Sequence, residues 1–237
     1  NVTARTGQPY IKRYVEEREQ TLMFVVDLSA SGKFGSVEKA KNEVAAEICA
    51  LLAFSAIKNN DKIGLIIFTD HVECFVPPQK GTSHVLRLIR DLLSFEPKGR
   101  GTDINAGLDY LGKVVRKRSI VFLVSDFICA DFERSMRIVS RKHDLIAISL
   151  RDPHEINLPN VGLIDVEDAE TGERLVIDTA SAAIRTRYSG LAAERHGQLS
   201  EMLRKNSIDH APIVCGRDYV RGLITFFKTR ERRQQYV

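Results

Sequence analysis

Three oxygen-bearing residues stand at alternate positions directly after an apolar run. Asp27, Ser29 and Ser31 follow residues 22–26, whose length and apolar make-up predict a fully buried β-strand. In open α/β sheets, ligands bind at the carboxyl ends of the strands. One carboxylate and two hydroxyls are hard oxygen donors, which suit Mg²⁺ or Mn²⁺ better than a thiolate-loving metal. The spacing therefore predicts a divalent-cation site at this strand end.

Two further oxygen donors are predicted to reach the same edge of the sheet. Thr102 stands where a glycine-marked loop enters a helix, and Asp126 follows a later apolar strand. Each of these positions also has a simpler interpretation, because Ser, Thr and Asp beyond a strand commonly cap the next helix. Taken one at a time, helix caps explain the five residues at least as well. Their joint placement at one edge favours a site.

Apolar strands alternate with segments of helical spacing along the chain. This alternation predicts parallel βαβ units with right-handed crossovers, and so an α/β fold with a mostly parallel, doubly wound central sheet and helices on both faces. The predicted buried strands are 22–26, 63–68, 119–124 and 145–150, with further strands at 72–76 and 211–215. The predicted helices are 37–57, 83–93, 104–115, 132–141, 180–205 and 219–232.

The sequence suggests one main domain. Residues 1–20 are expected to form an amino-terminal edge segment, with a half-exposed strand at 10–15. Residues 21–237 would form the α/β domain, which is predicted to carry a β-hairpin insertion near 161–177. Because the chain begins with Asn1 and a polar stretch, we expect it to be a piece of a longer polypeptide.

Composition narrows the class of protein. The 237 residues include 35 Lys and Arg against 31 Asp and Glu, a formal net charge of +4. The basic residues cluster at 116–118 and near the carboxyl terminus, as expected for solvated helix ends rather than for a nucleic-acid-binding stripe. The four cysteines form no Cys-x-x-Cys pair, which predicts a reduced, cytoplasmic protein. The apolar stretch 44–57 is too short to span a membrane.

Competing catalytic motifs fail at specific positions. A haloacid-dehalogenase-type site needs a second aspartate where Ser29 stands, and a Walker A loop needs glycine at Asp27. The sequence has no Gly-x-Gly-x-x-Gly after the first buried strand and no His-Glu-x-x-His motif. No catalytic serine or cysteine pattern is evident either.

The residues resemble a known family pattern. Asp-x-Ser-x-Ser at 27–31, a threonine in the loop 95–103 and an aspartate ending 118–126 resemble the metal-ion-dependent adhesion site (MIDAS) of von Willebrand factor type A domains. Through these segments and through residues 9–13 and 61–70, the chain looks more closely like bacterial type A-like proteins of domain of unknown function family 58, which occur with MoxR-type AAA+ ATPases. The resemblance covers nearly the whole chain.

The resemblance implies a set of roles. Ser29, Ser31 and Thr102 would supply hydroxyl ligands, while Asp27 and Asp126 would hold metal-bound waters or the ion itself. The function implied is non-enzymatic binding, in which Mg²⁺ or Mn²⁺ bridges to an Asp or Glu of a partner protein. That partner would be a MoxR-type AAA+ ATPase, or its client, in protein maturation or remodelling.

The alternative interpretation is a metal-dependent hydrolase that uses the same ion to generate a nucleophilic water. The sequence offers no histidine or third clustered carboxylate near the motif to act as base, so binding is favoured. On the binding interpretation, Asp126→Ala is expected to leave the stability of the domain nearly unchanged or slightly raised, because it relieves like-charge repulsion with Asp27.

Overall fold

The computed structural model describes residues 19–129 and 131–235. These form strands alternating with helices, as predicted. The strands are β1 (Thr21–Asp27), β2 (Lys62–Phe68), β3 (Val72–Gln79), β4 (Ile120–Ser125), β5 (Asp144–Arg151), β6 (Leu163–Glu167), β7 (Arg174–Asp178) and β8 (Asp209–Val214). The helices are α1 (Lys41–Lys58), α2 (Thr82–Leu93), α3 (Ile104–Val114), α4 (Glu133–Lys142), α5 (Pro153–Ile156), α6 (Ala182–Lys205) and α7 (Tyr219–Gln235).

Six of these strands form the central sheet, in the order β3-β2-β1-β4-β5-β8. All neighbouring pairs are parallel except β2 and β3, which are antiparallel. Val26 is in register with Ile67 on β2 and Val124 on β4, so these three parallel strands end at one edge. The predicted fold class is confirmed: this is a mixed α/β fold consistent with a Rossmann-like von Willebrand factor type A domain.

The core lies on both faces of this sheet. Along β1, Phe24 and Val26 pack on one face and Met23 and Val25 on the other, and all four are fully buried. A strand covered by helices on both faces carries apolar residues at every position, which explains the continuous apolar run. The polar Asp27 at the end of that run therefore lies at the margin of two apolar layers.

The structure revises some predicted element bounds. The helix predicted from residue 37 begins at Lys41, because Glu43 Oε2 accepts a hydrogen bond from the Ala40 backbone N–H at 2.9 Å and fixes the start of the helix. A short 3₁₀ helix, Ala30–Lys33, precedes it. The short helix α5 was not predicted; its start carries a capping box formed by Asp152 and Glu155.

The hairpin of β6 and β7 forms a separate two-stranded antiparallel sheet within the span predicted for an insertion. At its base, Thr179 Oγ1 donates to Gly162 O at 2.6 Å and accepts from Val161 N at 3.1 Å. The predicted strand at 10–15 lies outside the described residues, and the division of the chain at residue 20 stays a prediction.

Candidate metal centre

Asp27 ends β1 as a buried carboxyl group, 6% exposed. Its Oδ1 accepts a hydrogen bond from Ser29 N at 2.9 Å, and its Oδ2 accepts one from Ser125 Oγ at 2.7 Å. Burial raises the pKa of Asp27 to about 6; the negative charge of Asp126 adds to the rise, and these hydrogen bonds oppose it. Each oxygen keeps a second lone pair with which it can accept a further bond.

Ser29 and Ser31 bring two hydroxyl oxygens together beside this carboxylate. The Oγ atoms are 3.1 Å apart, and Ser29 is almost fully buried. Two oxygens in neighbouring positions around an octahedral Mg²⁺, each about 2.0–2.1 Å from the ion, lie about 3 Å apart. The two hydroxyls are close enough to hydrogen-bond to each other, and the same 3.1 Å separation is compatible with both oxygens binding one small hard cation.

Asp126 contacts a buried lysine that the sequence analysis did not include. Lys41 Nζ lies 2.7 Å from Asp126 Oδ2 and 2.5 Å from Glu155 Oε1, and its side chain is 2% exposed. Burial alone would lower the pKa of Lys41. The two carboxylates raise it by more than burial lowers it, so the pKa lies above its ordinary value. Lys41 therefore remains a buried ammonium group.

This ion pair reverses one expectation from the sequence. Removing the Asp126 carboxylate would leave the Lys41 ammonium with Glu155 as its remaining partner in the described part of the chain. A buried charge that loses a partner destabilises a fold. We therefore expect Asp126→Ala to lower stability, whereas the sequence suggested little change or a slight gain.

Thr102 belongs to a loop whose shape is set by a buried glutamate. Glu73 Oε1 accepts hydrogen bonds from the backbone N–H groups of Lys98, at 2.9 Å, and Gly99, at 2.7 Å. A Cβ at Gly99 would lie 2.2 Å from Thr69 Oγ1, so the close approach of the loop requires glycine. These contacts fix the backbone that leads into Thr102.

The same loop is tied to the serine segment, but Thr102 makes a different contact. Ala30 N donates to Arg100 O at 3.0 Å, which joins the two loops. Thr102 Oγ1 donates to Glu170 Oε1 at 2.7 Å, and Glu170 belongs to the turn between β6 and β7. Asp103 caps α3, so the helix-cap interpretation holds for Asp103 and not for Thr102.

Four of the five predicted ligands line one small cavity of about 10 Å³, roughly the space of one water molecule. These are Asp27, Ser29, Ser31 and Asp126; Thr102 is not among its lining residues. Residues 19–129 and 131–235 contain no group of three His, Cys, Asp or Glu side chains placed to hold a metal. Cation binding here would therefore depend on the serine hydroxyls as well as on the two aspartates.

The donor set fits a small divalent cation. Oxygen-only donors match Mg²⁺ or Mn²⁺, and such an ion would act as a Lewis acid toward an incoming anionic oxygen. Sequence reasoning missed three groups at the site: Lys41, Ser125 and Glu170. A lysine in the first turn of a helix is unfavourable, because the helix dipole is positive there. This conflict was the feature of the sequence that could have identified Lys41 as a functional residue.

A known protein family matches most of the chain. Residues 1–198 match the family described as "Protein of unknown function DUF58". The chain belongs to this family. Among curated proteins it is similar to an uncharacterized protein of Mycobacterium tuberculosis and to one of Mycobacterium bovis. Each is 27% identical over 236 residues, which is 98% of this chain and 74% of the relative.

Two solved structures show the same fold as this DUF58 chain. BatB from Bacteroides thetaiotaomicron superposes with a TM-score of 0.61 at 14% identity, over 90% of this chain and 99% of that protein. An aerotolerance-related membrane protein from Bacteroides fragilis superposes with a TM-score of 0.60 at 16% identity, over 88% and 97% of the two chains. At these identities the likeness is one of fold.

The prediction of a cytoplasmic protein is wrong, because the fold neighbour from Bacteroides fragilis is described as a membrane protein. All four cysteines are free thiols, but free thiols do not decide the compartment. None of the helices in the described ranges is long and apolar enough to cross a bilayer.

Proposed function

We propose that this chain is a metal-dependent protein-binding module of the MIDAS type. A Mg²⁺ or Mn²⁺ ion would be held by Asp27, Ser29, Ser31, Thr102 and Asp126 and would bridge to an Asp or Glu of a partner protein. The observation that carries the proposal is the pair of serine hydroxyls, 3.1 Å apart, beside the buried Asp27 carboxyl.

The charges around the site support a divalent ion with capacity for one more anion. Asp27, Asp126 and Glu155 bring three negative charges when ionised, and Lys41 brings one positive charge, which leaves a net charge of minus two. A divalent cation neutralises that charge without excess. No excess negative charge then remains to repel a partner carboxylate, which can bind at a free coordination position of the ion.

A cleft next to the site suits an acidic partner. It measures about 540 Å³ and lies between the 3₁₀ helix, the loop before Thr102 and the base of the hairpin turn. Lys33, Lys98 and Arg100 line it, against the single carboxylate of Glu167. An acidic segment that places one carboxylate on the cation would meet these basic side chains with its neighbouring residues.

The partner class follows from the family resemblance. We propose a MoxR-type AAA+ ATPase, or its client in protein maturation or remodelling. The description of a fold neighbour as a membrane protein supports a membrane-associated setting for this module. Binding is preferred to hydrolysis, because the amine nearest to the cavity, Lys41, is held as an ion-paired ammonium and is therefore not available as a base.

Calorimetric titration of Mn²⁺ tests the metal site. Ser29→Ala and Asp27→Ala should each abolish the binding seen with the parent protein. Ser94→Ala is the matched control, because Ser94 Oγ contacts only a helix carbonyl, that of Arg90, and the residue is exposed. Equal Mn²⁺ binding by all four proteins would reject the metal site.

The bridging role is tested on the complex with the proposed partner, a MoxR-type AAA+ ATPase. Complex formation should require Mg²⁺, should disappear in excess EDTA, and should weaken when Lys33 and Arg100 are both changed to Glu. A complex that forms equally well with and without chelator would show that the cation does not bridge the two proteins.

A further inference from the structure

The turn of the β6–β7 hairpin brings a carboxylate into contact with Thr102, one of the five proposed metal ligands. Glu170 Oε1 accepts the hydrogen bond of Thr102 Oγ1 at 2.7 Å. Its second oxygen lies over the preceding residue, 3.8 Å from where a Cβ at Gly101 would stand. Glu170 is thus placed against the one predicted ligand that does not line the small cavity.

The turn that carries Glu170 has a defined shape. Asp168 Oδ1 accepts hydrogen bonds from the backbone N–H groups of Glu170, at 2.9 Å, and Thr171, at 2.8 Å. Gly172, with φ of +76°, adopts the left-handed conformation that closes the turn, and its N–H donates to Asp168 O at 2.8 Å. The Glu170 side chain therefore projects from an ordered turn.

The negative charge of Glu170 is not matched by the protein around it. Within the described ranges, no Lys, Arg or His nitrogen lies within 4.0 Å of its carboxylate. Its neighbour Glu167, in contrast, pairs with Arg174 at 3.0 Å. A cation bound at the Thr102 oxygen would supply a partner of opposite charge for this carboxylate.

We propose that Glu170 fills the outward-facing position of the cation site in the unbound protein, where the carboxylate of a partner would otherwise bind. This inference rests on the proposed metal-binding function and adds a ligand to it. The hairpin is then a competitor within the chain, and an acidic partner gains access by displacing the turn from Thr102. Binding of Mn²⁺ and binding of an acidic peptide should consequently respond to Glu170 in opposite directions.

The test compares Glu170→Gln with Glu173→Gln. Both variants remove one charge from the same turn, but Glu173 is exposed, does not hydrogen-bond to Thr102 and does not line the small cavity. The probes are Mn²⁺ alone, by calorimetry, and a labelled poly-aspartate peptide in saturating Mn²⁺, by fluorescence anisotropy. Glu170→Gln should bind Mn²⁺ about tenfold more weakly and the peptide about tenfold more tightly, while Glu173→Gln should match the parent.

The outcomes separate this inference from the proposed function. If Asp27→Ala abolishes Mn²⁺ binding but Glu170→Gln changes neither Mn²⁺ nor peptide affinity, Glu170 is only a contact between turn and loop, and the inference is overturned. If Asp27→Ala leaves Mn²⁺ binding intact, the metal site fails and the inference fails with it. Opposite shifts for metal and peptide in Glu170→Gln alone support it, because a purely structural role would not produce them.

Discussion

Asp27 is a carboxyl group that the fold has largely removed from water. Its hydrogen bonds from Ser29 and Ser125 favour the ionised form, but burial outweighs them and holds the pKa at about 6. In the unfolded chain an aspartate ionises near 3.9. Between these two pH values the folded protein binds more protons than the unfolded chain, so its stability falls as the pH rises.

The raised pKa of Asp27 predicts that metal-free protein loses stability as the pH rises. In EDTA, the free energy of unfolding of the parent, relative to Asp27→Asn, should fall by roughly 2–3 kcal/mol between pH 4 and pH 8. Urea unfolding at a series of pH values measures this difference. Histidines such as His210, whose pKa burial lowers to about 4, titrate in both proteins and cancel.

Saturating Mg²⁺ should restore the stability of the parent at pH 8 and leave Asp27→Asn unchanged, because the ion stabilises only the ionised carboxylate. Parallel pH profiles for the two proteins in EDTA would show that Asp27 does not carry the raised pKa.

Some residues of the candidate site could be predicted from the sequence, and others could not. The strand-end positions of Asp27, Ser29 and Asp126 follow from apolar periodicity, because parallel strands place their carboxyl ends at one edge. The contacts of Lys41 and Glu170 do not follow from it, because they join residues 85 and 68 positions apart. Such pairings depend on how the helices and the hairpin pack, and no local pattern encodes that.

At the scale of elements, α3 positions the loop of Thr102 by packing very closely on β2. Gly107 of α3 faces the ring of Phe68, and a Cβ at this position would lie 2.8 Å from Phe68 Cδ1. Gly112, on the same helix, is exposed and has nothing within 4 Å of the corresponding point. The two glycines therefore separate the effect of close packing from that of helix propensity.

Gly107→Ala should destabilise the domain by about 1–3 kcal/mol, because the added methyl group overpacks the contact with Phe68. It should also weaken Mn²⁺ binding, since α3 follows Thr102 directly. Gly112→Ala should stabilise the domain by about 0.5–1 kcal/mol through helix propensity alone. Chemical denaturation and calorimetry of both variants measure these effects, and equal stability of the two would contradict the packing role.

The bounds of strands and helices were predicted best where the local pattern of apolar residues is unambiguous. The strands of the central sheet lie within two residues of their predicted positions for β1, β2, β4 and β5, because buried apolar runs are unambiguous. The start of α1 was placed four residues too early, because Val37 continues the apolar spacing although residues 34–40 form no helix. The short α5 was missed, because one helical turn has no periodicity to detect.

At the scale of the whole molecule, the rigid sheet and the hairpin differ in how they are supported. The central strands are buried on both faces, whereas the hairpin exposes Leu163, Leu175 and Val176, each by more than 60%. A two-stranded hairpin has marginal stability of its own. The part of the molecule that we propose meets a partner is therefore expected to open most easily.

Hydrogen exchange followed by mass spectrometry should resolve this difference. Amides of β1 and β4 should exchange slowest, and those of β6 and β7 should exchange orders of magnitude faster in EDTA. Addition of Mg²⁺ should protect the loop 98–102 and the turn 168–173 together. Protection of the hairpin equal to that of β4 in EDTA would contradict its independent opening.

The buried ammonium of Lys41 also has an evolutionary consequence. Because it bonds the carboxylates of Asp126 and Glu155, the three positions form one electrostatic unit drawn from distant parts of the chain. A substitution at 126 alone removes one of the two carboxylates that hold the buried ammonium, so natural variation at that position should be accompanied by a change at 41. An alignment of the family should show these two positions covarying, and a lineage that has lost the carboxylate at 126 should have lost the lysine as well.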